Sequence, residues 1–563
     1  MVTPPGDTRP ERLQRVFEQY WNESMAESPE SATFVGFPGF DDRWTDASPA
    51  AVERRNGRAS ELLDELEAFG DDGLDEVDRV SRDLLATDLR QVVEGARFHQ
   101  EWQSIDQLQG VQQDPAMVIE AQPASTSEER DRIIERLRRL PLLVDQTIEN
   151  LRLGMAAGGT PPQVCLRDVP GQVGNQLVAD PFDSPLLVPL ADIDDDDVRA
   201  AAAAAYRDGV APAYERLRSF LVDEYQPAAR RTISCSDLPD GEERYAHLVR
   251  LHTTTDLSPR EIHDIGLDEV ARIRAEMALV ATEAGATDLD AYAQHLRTSP
   301  DEHHQTAEAL LEGYREIGRR IDAHLPDLFG RLPRIPYEIV AVPAYAEKSQ
   351  TAAYYLPPTP DGSRAGQFFA NTYDLPSRFK WEAEALTLHE AVPGHHLQIA
   401  LALELDELPT FRRNAWYTAY GEGWGLYAES LGREVGCYQE PASRFGALVA
   451  EIWRAARLVL DTGLHALGWS REQAITYFED ATGRPGDHDI VVEVDRYIVW
   501  PGQALGYKIG ELKIKELRAR ATAALGAGFD LRDFHDEVLR HGCLPLQLLE
   551  RQVDTWVSQR RAG

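Results

Sequence analysis

The chain has 563 residues, a formal net charge of -37, 43% hydrophobic residues, and 10 Trp, 17 Phe and 19 Tyr. That length exceeds the size at which one core keeps growing and predicts two lobes around a central cleft, while the apolar and aromatic content excludes global disorder. No segment concentrates positive charge, which excludes nucleic acid as a ligand.

Only five of the 58 basic residues are lysines, against 95 carboxylates spread along the chain. Such a surface repels itself in dilute buffer and is screened in concentrated salt, so the charge reads as halophilic adaptation to a high-salt cytoplasm. No stretch approaches the roughly 18 to 20 apolar residues of a spanning helix, and Met1 to Asp7 lacks the basic and apolar regions of a signal peptide. The expected location is therefore cytoplasmic, with no membrane partner. Cys165, Cys235, Cys437 and Cys543 lie far apart, which predicts ordinary buried thiols rather than a thiolate metal site.

From Pro10 to about Asp327 apolar residues recur at three and four, as in Ile133-Ile134-Leu137-Leu140-Leu143 and Leu217-Phe220-Leu221, predicting helix after helix. Ser127 before Glu128-Glu129, and Ser258-Pro259-Arg260-Glu261, read as helix starts. The run Asp194 to Asp197 reads as an acidic helix N-terminus. Between Arg334 and Asp374 the texture changes to three short segments bounded by Pro or Gly, Ile335–Pro343, Thr351–Leu356 and Gly366–Asn371, which predict a small sheet. Helical periodicity resumes at Trp381 and continues nearly to Trp556. The expected fold is mainly α, with a helical scaffold lobe over 1–330 and a catalytic lobe over 331–563, its sheet directly before the chemical motif.

That motif is His389-Glu390-Ala391-Val392-Pro393-Gly394-His395-His396. In the common H-E-x-x-H arrangement, two histidines one turn apart bind one zinc ion and the Glu takes a proton from water. Here an unbroken helix would put His395 roughly 240° round from His389, and His396 in line but about 10 Å along. Pro393-Gly394 supplies the means to bulge the turn and bring a later histidine back. Deleting Val392-Pro393 leaves His-Glu-Ala-Gly-His, which resembles the H-E-x-G-H helix of the oligopeptidase, angiotensin-converting-enzyme-like and helical carboxypeptidase families. That alignment favours His395; helical phase favours His396.

A zinc hydrolase needs a third protein ligand and an open position. Glu422 and Glu429 lie seven apart on one predicted helix face, so that one can ligate and the other orient a histidine. Glu422 is preferred as ligand because Gly421 and Gly423 permit close approach. Further on, Tyr507 is a candidate donor to an oxyanion, and Arg496 and Lys508 are candidates for holding a substrate carboxylate.

The run Tyr354-Tyr355, Gly366, Asn371-Thr372-Tyr373, Lys380-Trp381-Glu382, the His389 motif, Glu422-Gly423-Trp424 and Trp500-Pro501-Gly502-Gln503-Ala504-Leu505 resembles the bacterial and archaeal family known as domain of unknown function 885. The resemblance covers most of the chain and is most specific from Tyr354 to Leu517. It implies a helical fold related to zinc peptidases. The expected activity is hydrolysis of short peptides with Zn2+ held by His389, His395 and Glu422 and with Glu390 as general base. The strand Ala352–Leu356, with Tyr354 and Tyr355, would align an extended peptide. A zinc amidase or esterase on small molecules, or a noncatalytic helical binding protein, are the alternatives.

Overall fold

The computed structural model describes residues 8–343, 347 and 351–562. The chain is mainly helical, and its sheet has three strands among the described residues. It divides into two compact units, one formed by residues up to His247 with Pro409–Phe411, the other by Leu248–Leu408 with the rest of the chain from Arg412. The texture change near residue 331 thus falls inside the second unit.

In the first unit the helix Ser127–Ala157 buries Ile133, Ile134, Leu137, Leu140, Val144 and Leu151, following the spacing visible in the sequence. Its cap is Thr126 rather than Ser127, because Thr126 takes the Glu129 N–H while the Glu129 carboxylate takes the Thr126 N–H. Helix Asp196–Ala205 begins at Asp195, whose carboxylate accepts from Asp197 and Val198 N–H. The acidic run is a cap.

The second unit holds the chemistry. Helix α1 (Pro259–Glu283) starts at Ser258 in a capping box with Glu261. Strands β1 (Tyr337–Ala341), β2 (Ala353–Leu356) and β3 (Gly366–Ala370) form a sheet in the order β1-β3-β2. β1 runs parallel to β3 with Ile339 opposite Phe368, and β2 runs antiparallel with Tyr355 opposite Phe368. β2 is therefore an edge strand. After the sheet come α2 (Ala383–Glu390), α3 (His395–Leu403), α4 (Thr418–Leu431), α5 (Pro441–Ala466), α6 (His488–Val499), α7 (Leu505–Leu525) and α8 (Leu531–Leu539). Helices α4 and α7 approach backbone to backbone, since a Cβ on Gly510 would lie 1.7 Å from the Ala419 carbonyl oxygen. All four cysteines are buried and none is in a disulfide, and no described helix is long and apolar enough to cross a membrane.

Candidate metal centre

The motif is not one helix. α2 ends at Glu390, Ala391 leaves helical geometry at φ -99 and ψ -103, and α3 begins at His395. The Val392–Pro393 peptide is cis, and the Pro393 carbonyl accepts from the Trp424 indole at 2.8 Å. Gly394 follows because nothing larger fits: a Cβ there would lie 1.9 Å from the His389 carbonyl oxygen. The break turns the chain so that the rings of His389 and His395 stand 4.7 Å apart at 84°.

These two rings meet Glu422 from α4. Glu422 Oε2 is 3.5 Å from His389 Nε2 and 3.4 Å from His395 Nε2, and one donor atom from each of the three residues lies within 4.8 Å of the others. Donors bound at about 2.1 Å around a tetrahedral zinc stand about 3.4 Å apart, so the spacing fits such an ion. Glu422 Oε2 is buried without a well-formed hydrogen bond among the described residues, a costly state for a carboxylate oxygen. Two imidazoles and one carboxylate are also the donor set zinc accepts, with a fourth position left for substrate or water.

The second carboxylate of the pair holds the His389 ring. His389 Nδ1 donates to Glu429 Oε1 at 2.8 Å, which fixes the ring and leaves Nε2 for Glu422. Glu429 is itself held by Arg454 of α5 at 3.3 Å and by the Tyr438 hydroxyl on its carbonyl at 2.9 Å. Burial by itself would lower the His389 pKa, but Glu422 and Glu429 outweigh it and lift it to about 9. Burial likewise works to raise Glu422, yet the facing imidazoles hold its carboxyl well below the usual range. The pocket favours positive charge.

Glu390 ends α2 at 8% exposed and accepts no hydrogen bond from another described residue, so its carboxylate is open to a proton donor. His396 points elsewhere. Its Nδ1 takes the Tyr355 hydroxyl at 2.8 Å, its ring packs 4.9 Å from Tyr337, and burial pushes its pKa down to about 4. Tyr355 is thereby committed to His396 rather than to a substrate. Tyr354 stacks on Phe369 with ring centres 4.7 Å apart.

Three further candidates take their surroundings from distant groups. Lys508 is fully buried and its ammonium meets Glu269 at 3.0 Å, Glu451 at 2.7 Å and Glu511 at 2.7 Å, so all three protons are used and none remains for a substrate carboxylate. The Tyr507 hydroxyl accepts from Arg496 Nη2 at 3.3 Å and its ring centre lies 4.3 Å from the Arg457 guanidinium, which puts Tyr507 in a basic cluster. The glycines beside Glu422 serve packing: Gly421 makes room for Trp416 and Gly423 for the Gly510 backbone. It is Gly425 that clears the centre, because a Cβ there would lie 2.6 Å from the His389 ring. Gly425, Arg454 and Trp416, whose half-exposed indole stands 5.8 Å from the His395 ring, escape the sequence reading. Only Gly425 had a signal, the alternating glycines Gly421, Gly423 and Gly425.

The profile of the family described as bacterial protein of unknown function (DUF885) matches residues 29–553. Two solved structures, each described as a "putative lipoprotein", are similar. The one from Colwellia psychrerythraea is 29% identical with a TM-score of 0.93, over 98% of this chain and 100% of that one. The one from Shewanella oneidensis is 18% identical with a TM-score of 0.74, over 96% of this chain and 99% of that one, a likeness of fold. No curated protein matches. The lipoprotein description of both neighbours overturns the cytoplasmic expectation. An acidic surface reports on ionic strength, not on compartment.

Proposed function

Because this chain belongs to the DUF885 family of bacterial proteins of unknown function, we propose from the chemistry of its site that it is a zinc-dependent hydrolase, a peptidase acting on short peptides. The observation that carries the reading is the orphaned, buried Glu422 Oε2 facing His389 Nε2 and His395 Nε2 at 3.5 and 3.4 Å. His389, His395 and Glu422 would hold the ion. When bound, it would supply Lewis acidity toward a substrate carbonyl and lower the pKa of water. Glu390, beside His389 and without a hydrogen bond from another described residue, would accept the proton of the attacking water and return it to the leaving amine. Glu429 and Arg454 would keep His389 turned toward the centre. Among the described residues β2 is an edge strand, and its outer N–H and C=O groups would pair with an extended peptide, which supports peptides over small amides as the substrate class.

Glu390→Gln tests the base. Elemental analysis should find zinc retained while turnover of a short-peptide library drops by about 10² to 10⁴; unchanged turnover would remove Glu390 from this role. His389→Ala should lose zinc, and undiminished occupancy would sink the site. Cleavage of small amides but no peptide would move the substrate to that class.

A further inference from the structure

A second polar cluster in the same unit is unused by the proposed reaction. Arg457 of α5 and Arg496 of α6 share one carboxylate, Glu493: Arg496 Nη1 donates to Oε1 at 3.1 Å and Arg457 Nη2 to Oε2 at 3.1 Å. Oε2 also takes the Tyr497 hydroxyl at 2.6 Å. Among the described residues Glu493 is the only carboxylate within ion-pair distance of either guanidinium. Two cations therefore face one anion.

The donors are not all used either. Arg457 Nη1 and Arg496 Nε are buried without a hydrogen-bond partner. Leaving such a group unsatisfied is costly, and a surplus buried charge costs more. A purely structural network would close on itself, as the one around Lys508 does with three carboxylates. This one leaves a positive charge and donors open. Around these open donors, Arg496 Nη2 reaches Gln503 Oε1 at 2.9 Å and the Tyr507 hydroxyl at 3.3 Å, and the guanidinium of Arg457 lies 4.3 Å from the Tyr507 ring centre. Arg496 and Gln503 are partly exposed, which gives a ligand a way in.

Two of the cluster's helices, α5 and α7, also touch the helix that carries Glu422 and Glu429. Arg457 is one turn along α5 from Arg454, which touches Glu429. Tyr507 is one turn before Gly510 on α7, and Gly510 packs on Gly423, the neighbour of Glu422. One helical turn is about 5 Å, comparable to the span of one or two extended residues at about 3.5 Å each.

We infer that Arg496, with Arg457, Gln503 and Tyr507, forms a subsite for the free α-carboxylate of a short peptide, so that cleavage occurs close to the C-terminal end. This rests on the peptidase reading above. The test uses N-acylated tripeptides that differ only in carrying a C-terminal acid or amide. The acid should be favoured about 30-fold in kcat/KM, mainly through KM, and should bind the zinc-free protein more tightly by calorimetry. Arg496→Gln should abolish both preferences while retaining zinc. Gln503→Glu, which removes no buried cation and sets a carboxylate against the ligand's own, should do the same if Arg496→Gln does not fold. Equal cleavage and equal binding of acid and amide overturn the subsite and leave the peptidase reading intact. Tighter acid binding, lost in Gln503→Glu, with neither peptide cleaved, keeps the subsite as an anion site and removes the peptidase reading. No binding of either peptide overturns the subsite.

Discussion

The two ring nitrogens of His389 face two different carboxylates at different distances. Glu429 accepts the Nδ1–H at 2.8 Å, while Glu422 stands opposite Nε2 at 3.5 Å, too far for a good hydrogen bond and apt for a shared ion. Glu429→Gln keeps the shape but replaces an ionised acceptor with an amide. Zinc affinity should fall about 10- to 100-fold, measured by competition with a chelator dye, with secondary structure unchanged. An unaltered affinity would mean that the His389 ring is held by packing alone. At this scale the residue types in the motif were readable, since histidines and glutamates are the donors a zinc ion accepts. Which histidine and which glutamate do what was not readable, because it depends on atoms 33 and 40 positions away in the chain, Glu422 and Glu429.

Among elements, the contact of α4 with α7 positions Glu422. Gly510→Ala would drive a methyl group into the Ala419 carbonyl, 1.7 Å away, and neither backbone can yield without separating the helices. The expected cost is about 3 kcal/mol or more, read from the urea midpoint, with zinc affinity falling alongside; a neutral result would show that the helices tolerate a wider gap. A different element pair carries a pH signal. His535 of α8 donates Nδ1–H to the Leu328 carbonyl and accepts the Tyr427 hydroxyl at Nε2, both at 2.8 Å. Burial holds it neutral and lowers its pKa to about 3. Below pH 6.5 the unfolded chain binds a proton that the folded chain refuses, so its contribution is complete above 6.5 and is lost as pH falls toward 3, by at most about 1.4 kcal/mol per unit. Asp106 and Asp114 act oppositely: burial raises them to about 6 and about 7, which costs stability as pH rises through those values from the usual carboxylate range. The difference between the parent and His535→Gln between pH 7 and 5 isolates the histidine; identical slopes would exclude it.

For the whole molecule, a net charge of -37 sets the expected response to salt. Self-repulsion acts over about 10 Å at 0.1 M salt and about 3 Å at 1 M. The thermal midpoint should therefore rise on going from 0.1 M to 2 M potassium chloride, and a flat or falling curve would remove the halophilic reading. Buried pairs such as Arg457–Glu493 respond less, so activity assays belong in molar salt.

Sequence by itself determined the helical character, the small sheet before the motif, the capping of α1 and the residue types of the centre. These are local matters of periodicity, turn chemistry and composition. It also carried the family, through motifs spread over most of the chain. The tertiary structure decided that His395 rather than His396 joins His389 and Glu422, since only the packed break at Pro393–Gly394 sets the ring directions. It decided that Lys508 is caged, and that Tyr507 and Arg496 belong to one cluster with Arg457. The physical reason is the same in each case: a side chain's role follows from which distant groups surround it once buried, and local sequence does not encode that company.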